Sequence, residues 1–317
     1  LLFHLKERKG DWVSGESLSN QMAVSRSAVW KQISKLREEG YGIDSSPKKG
    51  YILLEISKRL LPNEIREGLD TVVFGQKDIV YFEETDSTNT RAMDLASKGA
   101  PEGTLIVSEM QKGGRGRKGR KWFSPPWDGI YLSLILRPHI PPSEAPKITL
   151  LMGVAAAETI LMLTSLKADI KWPNDILVNG KKLAGILTEI HTEMDAVDYV
   201  VVGLGMNVNT RRFPHDIKEK ATSLFIETGS AYPRAVLIRE YLKRSEKYYE
   251  LLKRDGFAPI RERWKALAGM IGHRVMVEMI GKTFVGTAHD IDDTGFLILK
   301  DPRGRTYNIF SGDVTLM

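Results

Sequence analysis

Ten consecutive residues, Lys112 to Lys121, consist only of glycine, lysine and arginine, and this run limits the possible folds more than any other stretch. Its four glycines give the backbone access to positive φ and allow it to approach a ligand closely. Its six cations create a field that favours a strongly anionic partner. The run therefore predicts an anion-binding loop, with phosphate as the first candidate.

Three other interpretations of this run compete with that prediction. The spacing G-x-G-x-x-G at Gly114–Gly119 resembles a dinucleotide fingerprint, but that motif opens a helix, and Pro125-Pro126 follows too soon. A Walker loop needs Lys-Ser/Thr where the chain has Arg120-Lys121. A disordered basic linker is the third interpretation. The apolar segments 104–107 and 130–136 oppose it, because they predict strands on both sides of the run.

The totals indicate an ordinary globular chain of two or three domains: 317 residues, 42% hydrophobic and 27% charged. There are no cysteines, and the six histidines have no zinc-like spacing, so no disulfide and no metal site is predicted. The apolar run 148–166 contains Glu158 and predicts a buried helix, since a membrane span would be more uniformly apolar. The first residues are too short a run for a signal sequence. We expect a cytoplasmic protein that does not bind membranes.

The first 54 residues predict three helices and a hairpin, the order of a winged helix-turn-helix. The helix Arg26 to Glu39 buries one apolar face and presents polar and basic residues on the other. The hairpin 41–54 carries two lysines at its tip. The candidate DNA-binding residues are Ser25, Arg26, Ser27, Lys31, Lys35, Lys48 and Lys49. A protein-interaction module is the alternative, and because one such domain binds DNA weakly, operator recognition implies a dimer.

Two further clusters carry polar side chains. Asp86-Ser87-Thr88-Asn89 precedes a predicted helix at 90–98, where it either caps the helix or lines a polar ligand site. Asn179-Gly180 separates two apolar runs and predicts a type I′ hairpin. That hairpin would bring Lys182 close to Asp175, so a catalytic lysine competes with a solvated edge lysine.

The last third of the chain adds a glycine-flanked strand, a polar loop and a β-rich end. Gly203 and Gly205 flank the end of the predicted strand 199–204, where a backbone could touch a ligand. The loop Arg211 to Lys220 is a candidate lid. Residues 270–317 predict five short strands in a small barrel with no visible chemistry.

Together these clusters resemble a bifunctional biotin protein ligase and biotin operon repressor. The resemblance covers nearly the whole chain and depends on five motifs in order: D-S-T-N at 86–89, Gln111 with G-R-G-R-K-G-R-K-W at 114–122, K-W-P-N-D at 171–175, K-L-A-G-I-L at 182–187 and G-L-G-M-N at 203–207. It implies an α+β protein in three parts. These are a winged helix-turn-helix at 1–58, a central mixed sheet with helices like a class II aminoacyl-tRNA synthetase at 59–269, and an SH3-like barrel at 270–317.

The resemblance also implies the chemistry. Biotin and ATP, with Mg²⁺, would form biotinyl-5′-adenylate, and a lysine of a biotin carboxyl carrier protein would then attack it. Operator DNA and a ligand-bound homodimer would complete the partners. The catalytic residues implied are Lys182, Arg117, Arg115 and Asp175. The role of Asp175 stays open among ribose, metal and acceptor amine.

The resemblance assigns two sets of binding residues. The biotin-binding set is Ser87, Thr88, Asn89, Gln111, Gly114, Arg115, Gly116, Arg117, Tyr131, Lys182, Gly185 and Gly203. The nucleotide-binding set is Arg117, Arg120, Lys121, Trp122, Lys171, Asn174, Asp175 and Asn207. A lipoate ligase of the same superfamily and a repressor that senses a ligand without catalysis are the alternatives.

Overall fold

The computed structural model describes residues 1–193, 196–279 and 281–317. The chain forms two compact units, Leu1–Glu64 and Ile65–Met317. The C-terminal strands belong to the second unit, and the division at residues 58 and 269 remains a prediction.

The first unit has the element order predicted from the sequence, with one short additional strand. Its elements are α1 (Leu2–Glu7), β1 (Trp12–Val13), α2 (Gly15–Met22), α3 (Arg26–Glu38), β2 (Gly42–Ser46) and β3 (Gly50–Glu55). The strands form an antiparallel sheet in the order β1-β3-β2. Ser14 and Ser25 cap α2 and α3 by accepting hydrogen bonds from main-chain N–H groups, as the capping residues at these positions predict. Strand β1 was missed because it has only two residues.

The second unit is built on a seven-stranded mixed sheet in the order β4-β5-β6-β10-β9-β8-β7. Its strands are β4 (Ile79–Phe82), β5 (Leu105–Ser108), β6 (Gly129–Leu136), β7 (Asp169–Lys171), β8 (Asp175–Val178), β9 (Lys181–Glu193) and β10 (Ala196–Asn207). Only β4 and β5 pair in parallel within the described sheet. The predicted mixed sheet is therefore confirmed. The glycines at 203 and 205 lie within β10 and not at its end, because β10 extends to Asn207.

The helices of this unit are α4 (Pro62–Arg66), which crosses the boundary between the units, α5 (Thr88–Ser97), α6 (Ala145–Thr164), α7 (Leu224–Thr228), α8 (Arg234–Asp255) and α9 (Ala258–Leu267). Helix α5 packs against β5, β6 and β10, whereas α6 packs against β9 and α8. The segment Pro142–Thr164 is the one helix in the described ranges that is long and apolar enough to cross a membrane. Of the most apolar stretch of 18 residues in this helix, 61% is buried inside the protein, as is expected for a core helix.

The Asn179-Gly180 hairpin forms as predicted. Both residues have positive φ, 50° and 76°, as a type I′ turn requires. Asp175 pairs with Gly185 across the β8–β9 ladder. The turn thus places the start of β9 next to the K-W-P-N-D motif.

The C-terminal segment forms five antiparallel strands, as predicted. They are β11 (Arg274–Met279), β12 (Lys282–Ile291), β13 (Leu297–Lys300), β14 (Thr306–Ile309) and β15 (Asp313–Leu316). Their order is β14-β13-β12-β11-β15. An SH3-like closure of this sheet stays a prediction.

Candidate active site

The glycine-arginine run joins β5 to β6 and folds back on itself. Trp122 N–H donates to Gly114 O at 2.9 Å, and Gly116 N–H donates to Arg120 O at 2.7 Å. Lys118 occupies the left-handed region (φ 55°) within a single 3₁₀ turn. These hydrogen bonds define a loop between strands and contradict the linker interpretation.

Trp122 lies on two glycines of the sheet. A Cβ at Gly205 would be 2.4 Å from the indole, and a Cβ at Gly185 would be 3.2 Å from it. Any larger residue at 205 would displace the ring. The Lys182 ammonium lies 5.3 Å from the centre of the same ring, within the range of a cation–π contact. These glycines therefore accommodate a tryptophan in the chain itself.

Lys182 is held on three sides. Its Nζ lies 2.7 Å from Asp175 Oδ1, and its side chain is 34% exposed. Its main-chain N–H donates to Lys220 O at 2.8 Å, and its carbonyl accepts from Thr222 N–H at 2.9 Å. The edge-lysine interpretation is wrong, since β9 is flanked by β8 and by the end of the candidate lid.

Arg117 is the most enclosed cation of the loop. Its Nη1 donates to Asn174 Oδ1 at 3.2 Å and to Gly312 O at 3.3 Å. Burial lowers the pKa of the Arg117 guanidinium, and the nearby carboxylates of Asp313 and Asp175 partly offset that effect. A guanidinium that has already lost water binds a phosphate or carboxylate at a smaller desolvation cost.

Acidic residues form ion pairs with most of the other cations of the loop. Lys118 Nζ lies 3.2 Å from Asp313 Oδ2, and Arg120 forms an ion pair with the same oxygen. Burial tends to raise the pKa of Asp313, but hydrogen bonds and charge from the two cations outweigh burial and keep it below its ordinary value. Arg115 Nη2 lies 3.1 Å from Glu189 Oε2. The prediction that residues 270–317 carry no chemistry missed Asp313, which lies on β15 and contacts this loop.

A buried polar network begins at the first turn of α5. Thr88 N–H donates to Gln111 Oε1 at 2.8 Å. Ser133 Oγ donates to Asn89 Oδ1 at 2.6 Å and lies 2.8 Å from the hydroxyl oxygen of Thr88. Asn89 lies so close to Gly203 that a Cβ there would be 2.1 Å from Asn89 Oδ1. Thr88, Asn89, Gln111 and Ser133 thus form a largely buried polar cluster against the sheet, here called the polar pocket.

This geometry resolves the capping alternative. Helix α5 begins at Thr88, two residues before the predicted start, and the Ser87 side chain makes no capping hydrogen bond. Ser87, Thr88 and Asn89 are all buried. Capping therefore does not account for their side chains.

Three polar residues of this network were missed from the sequence. They are Glu189, Ser124 and Ser133. Glu189 Oε2 accepts from Asn89 Nδ2 at 2.8 Å, and Ser124 Oγ accepts from Gln111 Nε2 at 3.2 Å. The three residues connect the pocket to Arg115 and to the C-terminal end of the loop. The only sequence signal was their position in strands or next to the loop, which does not distinguish them from other polar residues.

The remaining predicted residues lie around this centre. Tyr131 is buried and its hydroxyl donates to Pro125 O at 3.0 Å. Lys171 pairs with Asp175 in the β7–β8 ladder, and Lys121 is exposed. Asn207 Nδ2 donates to Thr222 O at 3.0 Å, which fixes the end of the candidate lid. Phe213 of that loop contacts Phe123, with ring centres 6.1 Å apart.

A cavity of about 280 Å³ lies on the α6 side of the sheet. Its lining comes from α6, the K-W-P-N-D motif, alternate residues of β9 and the C-terminal strands, and includes Arg117, Thr149, Trp172, Asn174, Thr188 and Phe310. Thr188 faces α6, whereas Gly185 faces Trp122, so the cavity and the polar pocket occupy opposite faces. Arg117 and Asn174 line the cavity and are joined by a hydrogen bond of 3.2 Å.

The predicted DNA-binding residues lie together in the first unit. Ser25 caps α3 through Ala28 N–H at 3.2 Å and also contacts the Ser27 hydroxyl. Arg26 pairs with Glu16 at 3.1 Å, and both side chains are largely exposed. Lys31 and Lys35 are exposed on α3, and Lys48 and Lys49 occupy the β2–β3 turn. The helix and the turn thus provide a basic surface of the expected kind.

A loop rich in cations beside a glycine-rich sheet, a buried polar pocket and a fixed lysine is typical of enzymes that act on anionic substrates, because fixed cations stabilise negative charge. Residues 81–207 match the Biotin/lipoate A/B protein ligase family, 1–52 an HTH domain and 270–317 the Biotin protein ligase C terminal domain. The bifunctional ligase/repressor BirA of Bacillus spizizenii is 43% identical over 96% of this chain and 94% of its own length. The chain belongs to the biotin protein ligase family.

Two further relatives agree. The bifunctional ligase/repressor BirA of Escherichia coli K12 is 32% identical over 92% of this chain and 89% of its own length. The biotin protein ligase from Aquifex aeolicus, solved with biotin and ATP, is 29% identical over 76% of this chain and 99% of its own, with a TM-score of 0.66. The likeness thus extends over both the sequence and the fold.

Proposed function

We propose that this protein is an ATP-dependent biotin protein ligase that also represses transcription. The observation that carries the enzymatic part is that Lys182 and the polar pocket at Thr88 lie on the face of the sheet that Trp122 covers, while Arg117 of the adjoining loop lines the cavity. The HTH match over residues 1–52 and the two ligase/repressor relatives support the second part. The alternative of a lipoate ligase lacks this support.

In the first reaction, a carboxylate oxygen of biotin attacks the α-phosphorus of ATP. The bond from that phosphorus to the bridging oxygen breaks, and pyrophosphate leaves. Both reactants are anions, so the site must neutralise their repulsion. Lys182 would contact the carboxylate and the α-phosphate. Arg115, Arg117 and Arg120 would contact phosphate oxygens in place of their present partners, which are acidic side chains for all but Arg117.

In the second reaction, a lysine amine of a carrier protein attacks the acyl carbon of the mixed anhydride. An amide bond forms, the bond to the phosphate oxygen breaks and AMP leaves, with the extra amine proton released to a base. We assign that role to Asp175, because its Oδ1 lies 2.7 Å from Lys182 Nζ, next to the proposed position of the anhydride. The acceptor is the carrier protein of a biotin-dependent carboxylase.

Magnesium fits this site as a companion of ATP. In the described residues there is no cluster of three or more His, Cys, Asp or Glu that could hold a metal. Mg²⁺ usually binds through one or two carboxylates and the substrate phosphates. Asp175 can supply one carboxylate, and the bound ion would neutralise phosphate charge.

Pyrophosphate exchange with the purified full chain tests the enzymatic proposal. We expect labelled pyrophosphate to enter ATP when biotin is present, and to do so only slowly when lipoate replaces it. Exchange stimulated by lipoate alone would establish the lipoate ligase instead. No exchange, together with ligand-dependent DNA binding, would support a repressor without catalysis.

Arg117 should retain the adenylate more than it accelerates its formation. In the Arg117→Ala variant we expect dissociation of biotinyl-adenylate to be about a hundredfold faster, because a desolvated, charge-assisted contact is lost, and its formation to be slowed less than tenfold. Stopped-flow fluorescence gives the first rate and single-turnover quench the second. Lys112→Ala, which removes an exposed cation of the same run that belongs to neither binding set, is the control. The reverse order of effects would contradict the proposal.

The regulatory proposal is that adenylate binding promotes a homodimer that occupies an operator in the cytoplasm. It is supported by the basic face of α3 and by the weakness of a single winged helix-turn-helix. Sedimentation and footprinting, each with and without biotin and ATP, test it. We expect both dimer and protected DNA only with the ligands, and protection independent of ligands would contradict it.

A further inference from the structure

Trp30 is a large apolar side chain on the polar face of α3. It is 59% exposed, while Val29, Ile33 and Leu36 form the buried face of the same helix. Helical spacing places Ser27, Trp30 and Lys31 on one stripe, because residues three and four apart are neighbours on a helix surface. That stripe lies roughly opposite the buried face.

The neighbours of Trp30 make its exposure informative. Single exposed apolar residues are common and often have no role. Here Arg26, four residues before Trp30, is its neighbour on the helix surface, while Lys31 and Lys35 lie further round the exposed side of α3. Lys31 has no ion-pair partner in the described part of the chain. The pairs of Arg26 with Glu16 and of Lys35 with Glu39 are exposed, and such pairs are weak and exchange readily.

The surrounding charge selects among partners. A second copy of this face would bring like charges together, which opposes association. A polyanion is favoured, and α3 lies in the matched HTH domain as the second helix of the pair α2–α3, which is the position of the helix that enters the major groove in this motif. DNA is therefore the occupant that agrees with the charges around Trp30.

The major groove presents one apolar group on its base edges, the C5-methyl of thymine. An indole on the second turn of a recognition helix can cover such a methyl group, while its Nε1–H donates to a nearby acceptor. Ser27 and Lys31, on either side, can contact a base edge or a phosphate. We propose that Trp30 reads thymine by packing its indole on the C5-methyl group. This inference rests on the proposed DNA binding.

The test begins with the full chain in the presence of biotin and ATP. Selection from a random duplex library gives the preferred site, and each thymine of that duplex is then replaced by deoxyuridine, which removes only the methyl group. For the unchanged protein, we expect one thymine in each half-site at which the replacement weakens binding about fourfold, the value of one buried methyl group. Trp30→Ala should bind the selected duplex about tenfold more weakly and show no such methyl effect.

Three further variants sharpen the result. Trp30→Phe keeps an apolar ring and should retain part of the methyl effect. Phe3→Ala removes another exposed aromatic residue of the same unit, 64% exposed, and should change nothing. Lys31→Ala should lower the salt dependence of binding with the methyl effect intact. If Trp30→Ala binds too weakly to titrate, its own selection should yield sites without the thymine preference.

The outcomes separate this inference from the proposal beneath it. If the unchanged protein selects no sequence, both fail. If it selects a sequence but deoxyuridine has no effect, or weakens Trp30→Ala equally, only the inference fails. If Trp30→Ala alters ligand-dependent dimerisation in sedimentation and not the methyl effect, Trp30 is a protein contact and the inference is overturned.

Discussion

Replacing Lys182 with alanine is expected to slow biotinyl-adenylate formation about a thousandfold, or about 4 kcal/mol of transition-state stabilisation. The physical reason is its position, since Lys182 is fixed by Asp175 and by the main chain of residues 220–222. An ammonium held in place stabilises negative charge that develops between the carboxylate and the α-phosphate without having to reorganise. Biotin-dependent pyrophosphate exchange measures the effect.

The control for this prediction is Lys181→Ala, which removes the same charge from the preceding residue of β9. We expect exchange within a factor of about two of the unchanged protein, since successive side chains of a strand point to opposite faces of the sheet and the Lys181 charge is directed away from Lys182. Comparable losses in both variants would show that the net charge of the hairpin matters and not the position of Lys182. Unchanged exchange in Lys182→Ala would remove this lysine from the mechanism.

Replacing Arg234 with methionine is expected to destabilise the second unit by about 3–5 kcal/mol. Arg234 Nη1 lies 2.7 Å from Glu109 Oε2 and donates to Gly129 O at 2.9 Å, and the two side chains are 4% and 0% exposed. Methionine fills much of the space but leaves a buried carboxylate without this cation. Because Glu109 follows β5 and Gly129 begins β6, the change should also loosen both ends of the glycine-arginine loop.

Calorimetry of the full chain measures this prediction. We expect the unfolding transition of the second unit to fall by about 10 °C, given its size. The matched control is Arg254→Met on the same helix, whose ion pair with Asp255 is exposed and should not affect the transition measurably. Equal shifts in the two variants would mean that burial of the Arg234–Glu109 pair carries no special penalty.

The local features of this protein could be predicted from its sequence. The Asn179-Gly180 turn, the capped helices α2 and α3 and the strands beside the glycine-arginine run depend on residues within a few positions of one another. Hydrogen bonding and torsional preferences at that range are written directly in the chain. The contact between Lys182 and Asp175 belongs to this group, since one tight turn separates the two strands.

The partners of the cations could not be predicted in this way. Asp313 is almost 200 positions from the loop that it contacts, and Glu189 and Glu109 meet their arginines across gaps of 74 and 125 positions. Such pairs depend on the order β4-β5-β6-β10-β9-β8-β7 and on where the C-terminal strands pack. Without the strand order, many acidic residues are equally possible ion-pair partners for each arginine.

By itself, the sequence determined the local chemistry: an anion-binding loop, a polar helix start, a lysine beside an aspartate and a basic helix. The resemblance of the motifs to a known family indicated that these features belong to one biotin ligase site and one DNA-binding domain. Only the tertiary structure decided that Trp122 packs on Gly185 and Gly205, that Asp313 holds the loop, and that Glu189 joins it to the pocket. The reason is that these contacts form where distant segments are brought together by burial of apolar surface, which is not directional and leaves no local signature in the chain.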